Sequence, residues 1–394
     1  MPGAEHRPTV AVVTPYYPPS LGGVQQYAER IVSRLRADGV PTVVVTTGDT
    51  RVGVRRELVD GVRIYRLPVA VRWSSTPLHP GWPGLLRRIF ELERVAIVNT
   101  HAPVVGLADL AVRAAAGRPV VATYHAGSMA KGATVIDPLL RAYERYLLPR
   151  TFARARTVVA VSPTALGADR PNAEIISPGV DVEVFTPTAA PRSPFRILFV
   201  GRMDASSAWK GVHVLIEAFA RVRRRVPGAE LRCVGSGDAV PGLRARAADL
   251  GCLDAVTFTG RRDGPELVAE YQQAAVTVLP SLTAAESFGM TLIEAMACGS
   301  PVIGSRVGGI PYVVTPGVDG LLVAPGDVAE LADACGRVLT DRSFADRLSV
   351  AGCRSATAEF TWSSRLDRWA ELLHPDPAST PAAGVTVTTG GSRR

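Results

Sequence analysis

The sequence predicts an α/β protein made of two Rossmann-like, doubly wound domains that face a central cleft. Short apolar runs alternate with amphipathic segments of helix length along almost the whole chain. The alternation stops at a Pro-, Ala- and Ser-rich stretch, residues 187–194, and then restarts from a new apolar strand. At 394 residues the chain also exceeds one ordinary domain. Strands that alternate with helices imply parallel sheets covered on both faces, which take ligands beyond their strand carboxyl ends.

The first half opens on the apolar run 9–13, followed by a loop rich in Pro, Tyr and Gly over residues 14–23. Val24, Tyr27, Ala28, Ile31 and Leu35 then recur at helical spacing, and Gly39 closes that helix. Strands are predicted at 43–45, 62–65, 96–98, 120–123 and 158–161, with helices at 85–92, 105–116 and 138–156. After 187–194 the pattern predicts strand 196–200, a Gly-containing loop and helix 212–226. Strands 230–234, 255–258, 275–279 and 301–303 then alternate with helices 242–250, 265–274 and 288–298. Further helices fill 327–340, 343–358 and 361–373, and the composition from Pro375 onward predicts a disordered tail. The expected division is 1–190, 191–360, a helix 361–374 and a tail 375–394.

Composition excludes several classes. No run of eighteen apolar residues exists, so no membrane-spanning helix is expected, and the short polar N-terminus predicts no secretory leader. Cys233, Cys252, Cys298, Cys335 and Cys353 lack pairing or metal-ligand spacing, which predicts reduced thiols and a cytoplasmic protein. The histidines are scattered, so no metal is expected. The net charge of +8 is uneven: residues up to 190 hold 22 basic and 15 acidic side chains, net +7, leaving 22 and 21, net +1. Such a basic half suits anionic lipid or phosphorylated ligands. The segment 141–156 mixes arginines with Tyr143, Tyr146, Leu147, Leu148 and Phe152, so it reads either as an interfacial amphipathic helix or as a solvated helix over the sheet. No aromatic RNA-binding motif occurs, and nucleic acid is not an expected partner.

Four loops carry the candidate chemistry. In the first, adjacent Gly22 and Gly23 open a helix and let backbone amides approach a ligand. In the second, Gly201 and Arg202 leave a strand and Lys210 precedes a helix, two cations suited to a departing diphosphate. In the third, His125 leaves the carboxyl end of strand 120–123. The fourth, Glu286-Ser-Phe-Gly-Met-Thr-Leu-Ile-Glu294, sets two carboxylates around a helix start where Gly289 and Met290 offer free amides to an anion.

Together these residues resemble glycosyltransferase family 4, retaining enzymes of the two-Rossmann-domain GT-B architecture. The resemblance runs to about residue 373 through Gly22-Gly-Val24, Tyr124-His125, Ser177-Pro-Gly-Val-Asp181 with Phe185, Gly201-Arg202, Lys210-Gly211, Val234-Gly-Ser-Gly237, the Glu286 to Glu294 block with Ala295-Met-Ala-Cys-Gly299, Gly308-Gly-Ile-Pro311 and Gly317-Val-Asp-Gly320. It implies metal-independent transfer from a nucleotide-diphosphate sugar, UDP- or GDP-linked, to a hydroxyl acceptor such as a glycolipid, polysaccharide precursor or natural product. Arg202 and Lys210 would hold the donor diphosphate, helped by amides around Gly23, Gly289 and Met290. Glu294 would bind the ribose hydroxyls and Glu286 the donor sugar, with His125 near the reacting carbon. Arg261 or Arg262 would border the nucleobase, and Gly201 and Phe288 complete the donor-binding set.

The resemblance further implies an acceptor site in the N-terminal domain, with loops 72–75 and 127–132 shaping it, and a last helix that crosses back to that domain. A cytoplasmic enzyme with peripheral contact at an anionic inner membrane face fits the basic first half. Two departures stand out: seven residues separate Arg202 from Lys210, longer than the family's usual spacing, and Pro178 replaces the usual Asn. The rival readings are a nucleotide-sugar epimerase of similar two-domain fold and a non-catalytic nucleotide-sugar binder.

Overall fold

The computed structural model describes residues 8–19, 22–73, 76–103, 105–130 and 136–375. The expected tail beyond Pro375 and parts of loops 72–75 and 127–132 lie outside the described residues. The chain forms two compact units. One comprises Met1–Ala122, Arg154–Arg156 and Ala370–Arg394; the other comprises Thr123–Ala153 and Thr157–Trp369.

From the N-terminus the elements are β1 (Thr9–Val13), α1 (Gly23–Ala37), β2 (Thr42–Thr47), β3 (Arg55–Val59), β4 (Val62–Leu67), β5 (Val71–Trp73), β6 (Thr76–Leu78), α2 (Trp82–Leu92) and β7 (Val95–Ala102). Next come α3 (Leu107–Ala114), β8 (Val120–Tyr124), α4 (Asp137–Tyr146), α5 (Leu148–Phe152), β9 (Thr157–Ala160) and β10 (Ala173–Ile175). The second series holds β11 (Arg196–Val200), α6 (Val212–Arg225), β12 (Glu230–Val234), α7 (Val240–Asp249), β13 (Val256–Gly260), α8 (Gly264–Gln273) and β14 (Val276–Leu279). It ends with α9 (Met290–Ala297), β15 (Val302–Ser305), α10 (Ile310–Val313), β16 (Leu321–Val323), α11 (Val328–Thr340), α12 (Arg342–Glu359) and α13 (Trp362–Leu373).

Two large sheets result, as the alternation predicts. The first runs β10-β9-β8-β7-β1-β2-β4-β3 and the second β13-β12-β11-β14-β15-β16. Numbered from its own first strand, the second sheet has the order 3-2-1-4-5-6, that of a dinucleotide-binding Rossmann sheet. Its neighbouring strands all pair in parallel. Successive residues of β11 feed opposite faces. Ile197 and Phe199 pack with Leu215 and Phe219 of α6 and Leu331 of α11, whereas Leu198 packs with Tyr271 of α8 and Ile293 of α9. Both faces are therefore dry, which explains why the strand reads as a continuous apolar run rather than an alternating one.

Several local features depart from the sequence expectation, among them the short elements β5, β6, β10, α10 and β16, which it lacks. β3, unforeseen, pairs antiparallel with β4. The connecting Asp60 and Gly61 have φ of 49° and 80°, the geometry of a two-residue hairpin turn that Asp-Gly favours. Its signature was present in the sequence, but β3 is an edge strand with Arg55, Arg56, Leu58 and Val59 exposed, so no apolar alternation marks it. The single helix expected over 138–156 is two, α4 and α5. Pro149 sits in the first turn of α5, where its missing N–H is harmless, whereas it would break a continuous helix. The loop after β11 contains a 3-10 stretch, Ala205–Lys210, whose consequence is local to the site.

Candidate active site

In a sheet of this order, ligands bind beyond the carboxyl ends of the two strands where the winding reverses, here β11 and β14. The loops that leave those strands carry Lys210 and Glu286. The seven residues between Arg202 and Lys210 are taken up by the 3-10 stretch, which returns the chain so that the Lys210 stem lies against Gly201. Gly211 follows with φ of 74°, and a Cβ there would lie 2.0 Å from the Pro280 carbonyl oxygen, so only glycine allows this turn to rest on the loop after β14. The Leu282 amide donates to the Trp209 carbonyl at 2.7 Å and locks the two loops together.

Lys210 Nζ then stands 2.9 Å from Glu286 Oε2, with the two side chains only 19% and 12% exposed. The buried Ser281 hydroxyl donates to the same oxygen at 3.2 Å. The Trp209 ring lies 4.6 Å from Lys210 Nζ and stabilises the cation from a further side. The Glu286 backbone is clamped as well. The Gly309 amide donates to the Glu286 carbonyl at 2.9 Å, and a Cβ on Gly309 would come 1.9 Å from the Ser287 oxygen. Beyond this clamp Phe288 is buried against Phe360, and Gly289 is the N-cap of α9, whose first amides no side chain caps.

Glu294 lies on α9, and its Oε2 accepts the Tyr271 hydroxyl at 2.7 Å. Burial pushes the Glu294 carboxyl up to about 7, opposed by the Tyr271 hydrogen bond, and holds the Tyr271 hydroxyl well above its ordinary range. The loop carrying His125 approaches the Glu286 loop closely, since a Cβ on Gly127 would lie 2.5 Å from the Ala284 carbonyl oxygen. Burial lowers the His125 pKa to about 3, so its ring is a neutral donor and acceptor throughout the physiological range. An NMR titration of the His125 ring should therefore show no protonation shift between about pH 5 and 8, the interval where an ordinary histidine titrates. A transition near 6.5 would contradict the burial argument.

The other expected residues are not drawn into this cluster. Arg202 is 70% exposed and pairs with Asp204, its Nε 2.7 Å from Oδ2. Arg261 pairs with Asp263 and Arg262 with Glu266, both on the surface. Gly22 and Gly23 belong to the first unit. Gly22 has extended backbone, and Gln25 fills the space beside it, while Gly23 starts α1, which no side chain caps. Three residues at the cluster went unforeseen: Tyr271, Ser281 and Trp209. Tyr271 reads as a core aromatic of α8, and nothing in its spacing marks a carboxylate partner. Trp209, adjacent to a rare lysine, was the only one with a sequence signal.

Comparison with known proteins places the chain in a family. The Glycosyltransferase Family 4 model matches residues 21–184 and the Glycosyl transferases group 1 model matches residues 194–341. The chain is similar to the GDP-mannose-dependent alpha-(1-6)-phosphatidylinositol monomannoside mannosyltransferase of Mycobacterium tuberculosis, 31% identical over 94% of this chain and 99% of that protein. It is also similar to the D-inositol 3-phosphate glycosyltransferase of Pseudarthrobacter chlorophenolicus, 32% identical over 79% of this chain and 81% of the relative. Among solved structures, sucrose-phosphate synthase from Thermosynechococcus elongatus superposes with a TM-score of 0.77 at 25% identity, over 93% of this chain and 98% of that one. Anabaena HepE, solved with UDP and glucose, shares the fold at a TM-score of 0.71 and 19% identity, over 93% and 99% of the two chains. With both halves matched in sequence and the fold shared with the solved structures, the chain belongs to glycosyltransferase family 4 and is a glycosyltransferase of the GT-B fold.

Proposed function

We propose that this glycosyltransferase moves a hexosyl group from a nucleoside-diphosphate sugar to an acceptor hydroxyl, with retention of configuration and without a metal ion. The observation that carries the reading is the Lys210–Glu286 pair, 2.9 Å apart and largely screened from water beside the uncapped start of α9. A fixed ammonium in a partly dry site stabilises the charge that develops on a leaving diphosphate. The Gly289 and Met290 amides add the positive end of a helix dipole, and the Gly23 amides are assigned the same anion. Arg202 joins them by exchanging Asp204 for the diphosphate. That exchange is easy because an exposed ion pair contributes about 1 kcal/mol or less.

Glu294 takes the ribose hydroxyls and Glu286 orients the sugar, while neutral His125 donates to or accepts from the sugar near C1. Arg261 or Arg262 borders the base, and Gly201 and Phe288 complete the donor site. The C1–oxygen bond to the diphosphate breaks through an oxocarbenium-like state. The acceptor oxygen then bonds to C1 on the face the diphosphate leaves, and its proton passes to a diphosphate oxygen. Charge and atoms balance without a covalent sugar–enzyme intermediate.

The mannosyltransferase relative is named for GDP-mannose and a phosphatidylinositol mannoside, which makes GDP-mannose the first donor to test and a polyol-bearing acceptor the first class. No helix among the described residues is long and apolar enough to cross a membrane. A cytoplasmic enzyme that meets a lipid-linked acceptor at the inner membrane face fits this reading. The test is proton NMR of the anomeric signals with GDP-mannose or UDP-glucose in excess EDTA. An α-linked donor should yield an α-linked product and one nucleoside diphosphate per transfer. A β-linked product, a strict Mg²⁺ or Mn²⁺ requirement, or an epimerised donor with its diphosphate intact would overturn it.

A further inference from the structure

The stretch Ser177-Pro-Gly-Val-Asp181 with Phe185 is a motif that the proposed reaction leaves without a task. Its base is fixed on the junction of α12 and α13. The Val180 amide donates to the Phe360 carbonyl at 2.7 Å, and a Cβ on Gly179 would lie 2.7 Å from the Trp362 nitrogen. Beyond that anchor the Val184 and Phe185 amides both donate to the Asp181 carbonyl, at 3.1 and 2.8 Å. The Glu183 amide donates to Asp181 Oδ1 at 3.2 Å, which closes the turn. This turn sets the Phe185 ring edge-on to the Tyr271 ring of α8, with centroids 6.1 Å apart at 63°. Next to it Gln272 Nε2 donates to the Thr186 carbonyl at 2.7 Å, so the turn holds α8 at two adjacent residues.

Tyr271 is fully buried, and its hydroxyl meets Glu294 Oε2 at 2.7 Å. Among the described residues Glu294 has no ion pair, and Tyr271 is its one side-chain hydrogen-bond partner. A buried hydroxyl needs an acceptor but not a charged one, and an amide or a carbonyl would serve at a lower desolvation cost. What a carboxylate adds is a second oxygen. Oε1 stays available as an acceptor while Oε2 is held. A glutamate also has three side-chain torsions, and ordering them in advance removes that entropy cost from ligand binding.

We infer that Tyr271 is a positioning residue of the donor site: its hydroxyl holds Glu294 Oε2 so that Oε1 is aligned for the ribose hydroxyls, and the turn ending in Phe185 keeps the Tyr271 ring in place. The inference rests on the ribose role proposed for Glu294.

The test is calorimetric titration of the full chain with GDP and UDP and with their 2′,3′-dideoxy counterparts, which lack the ribose hydroxyls. The wild-type chain should bind one of the two diphosphates about tenfold or more tightly than its dideoxy form, the scale of hydrogen bonds to a charged group. Tyr271→Phe keeps the ring and should raise the Kd of that diphosphate by about tenfold without moving the Kd of the dideoxy form. A purely structural loss would weaken both ligands alike. Phe185→Leu leaves the hydroxyl in place and should show the same selective loss at about threefold, the contribution of one aromatic pair. It decides the question if thermal unfolding shows that Tyr271→Phe does not fold. Tyr271→Phe/Glu294→Gln should bind no more weakly than Glu294→Gln, since both changes act on one contact. An unmoved Kd, equal losses for both ligands, or additive losses in the double variant would overturn the inference and leave the ribose role standing. A wild-type chain that binds neither diphosphate, or does not distinguish ribose from dideoxyribose, would overturn the ribose role itself and the inference with it.

Discussion

Replacing Lys210 with alanine should lower kcat by about two orders of magnitude, the scale for losing one stabiliser of transition-state charge. The same change strands the Glu286 carboxylate, only 12% exposed, with Ser281 as its remaining donor. An unpaired, largely buried charge is costly, so Lys210→Ala should also be destabilised, by about 1–3 kcal/mol given its residual exposure. The two effects separate in the double variant Lys210→Met/Glu286→Gln. Removing both charges should recover most of the lost melting temperature and none of the lost turnover. Steady-state release of nucleoside diphosphate and thermal unfolding are the two readouts. Recovery of kcat together with stability would mean that Lys210 serves only to neutralise Glu286. Because the two groups share one ion pair, their single substitutions should be far from additive.

Glu294→Gln should make the protein more stable above pH 7 while weakening donor binding. The folded-state pKa of Glu294, about 7, is raised by burial above the ordinary 4.5, so the native protein holds a proton that the unfolded chain releases. Wild-type stability must then fall as the pH climbs from about 4.5 to 7 and level off above that. At about 1.36 kcal/mol per unit, and reduced for partial exposure, the loss is on the order of 2 kcal/mol. Glutamine keeps an acceptor for the Tyr271 hydroxyl and carries no charge, so its melting temperature should not decline over that interval. On the proposed role of Glu294 as acceptor for the ribose hydroxyls, donor Kd should rise in the variant. Parallel melting curves against pH for the two proteins would remove the burial argument, and an unchanged donor Kd would remove the ribose assignment.

Much of the fold was legible because its signals are local. The runs that became β1, β8, β11 and β14 are apolar because both sheet faces are covered, and the helices between them repeat at helical period. Pro149 and Asp60-Gly61 were legible too, though the break between α4 and α5 and the β3–β4 hairpin were not read from them. The loops of the candidate site were marked by residue types with a local reason to be there, such as Gly211 for close backbone approach, Lys210 as a rare lysine and the paired carboxylates of the Glu286 to Glu294 block.

By itself, then, the sequence determined the two wound sheets, the loops that leave their strands and the residues available at those loops. Periodicity and turn chemistry act within a few residues, so a single strand of text contains them. Partner choice was decided only in three dimensions. Lys210 meets Glu286 from 76 residues away because a glycine at 211 lets one loop lie on Pro280, and the 3-10 stretch absorbs a spacing that looked too long. Arg202, beside the same strand, turns outward to Asp204, and Glu294 finds Tyr271 across the gap between α8 and α9. Side-chain direction depends on which backbone packs against which, and that close packing is a property of the assembled loops rather than of any segment alone.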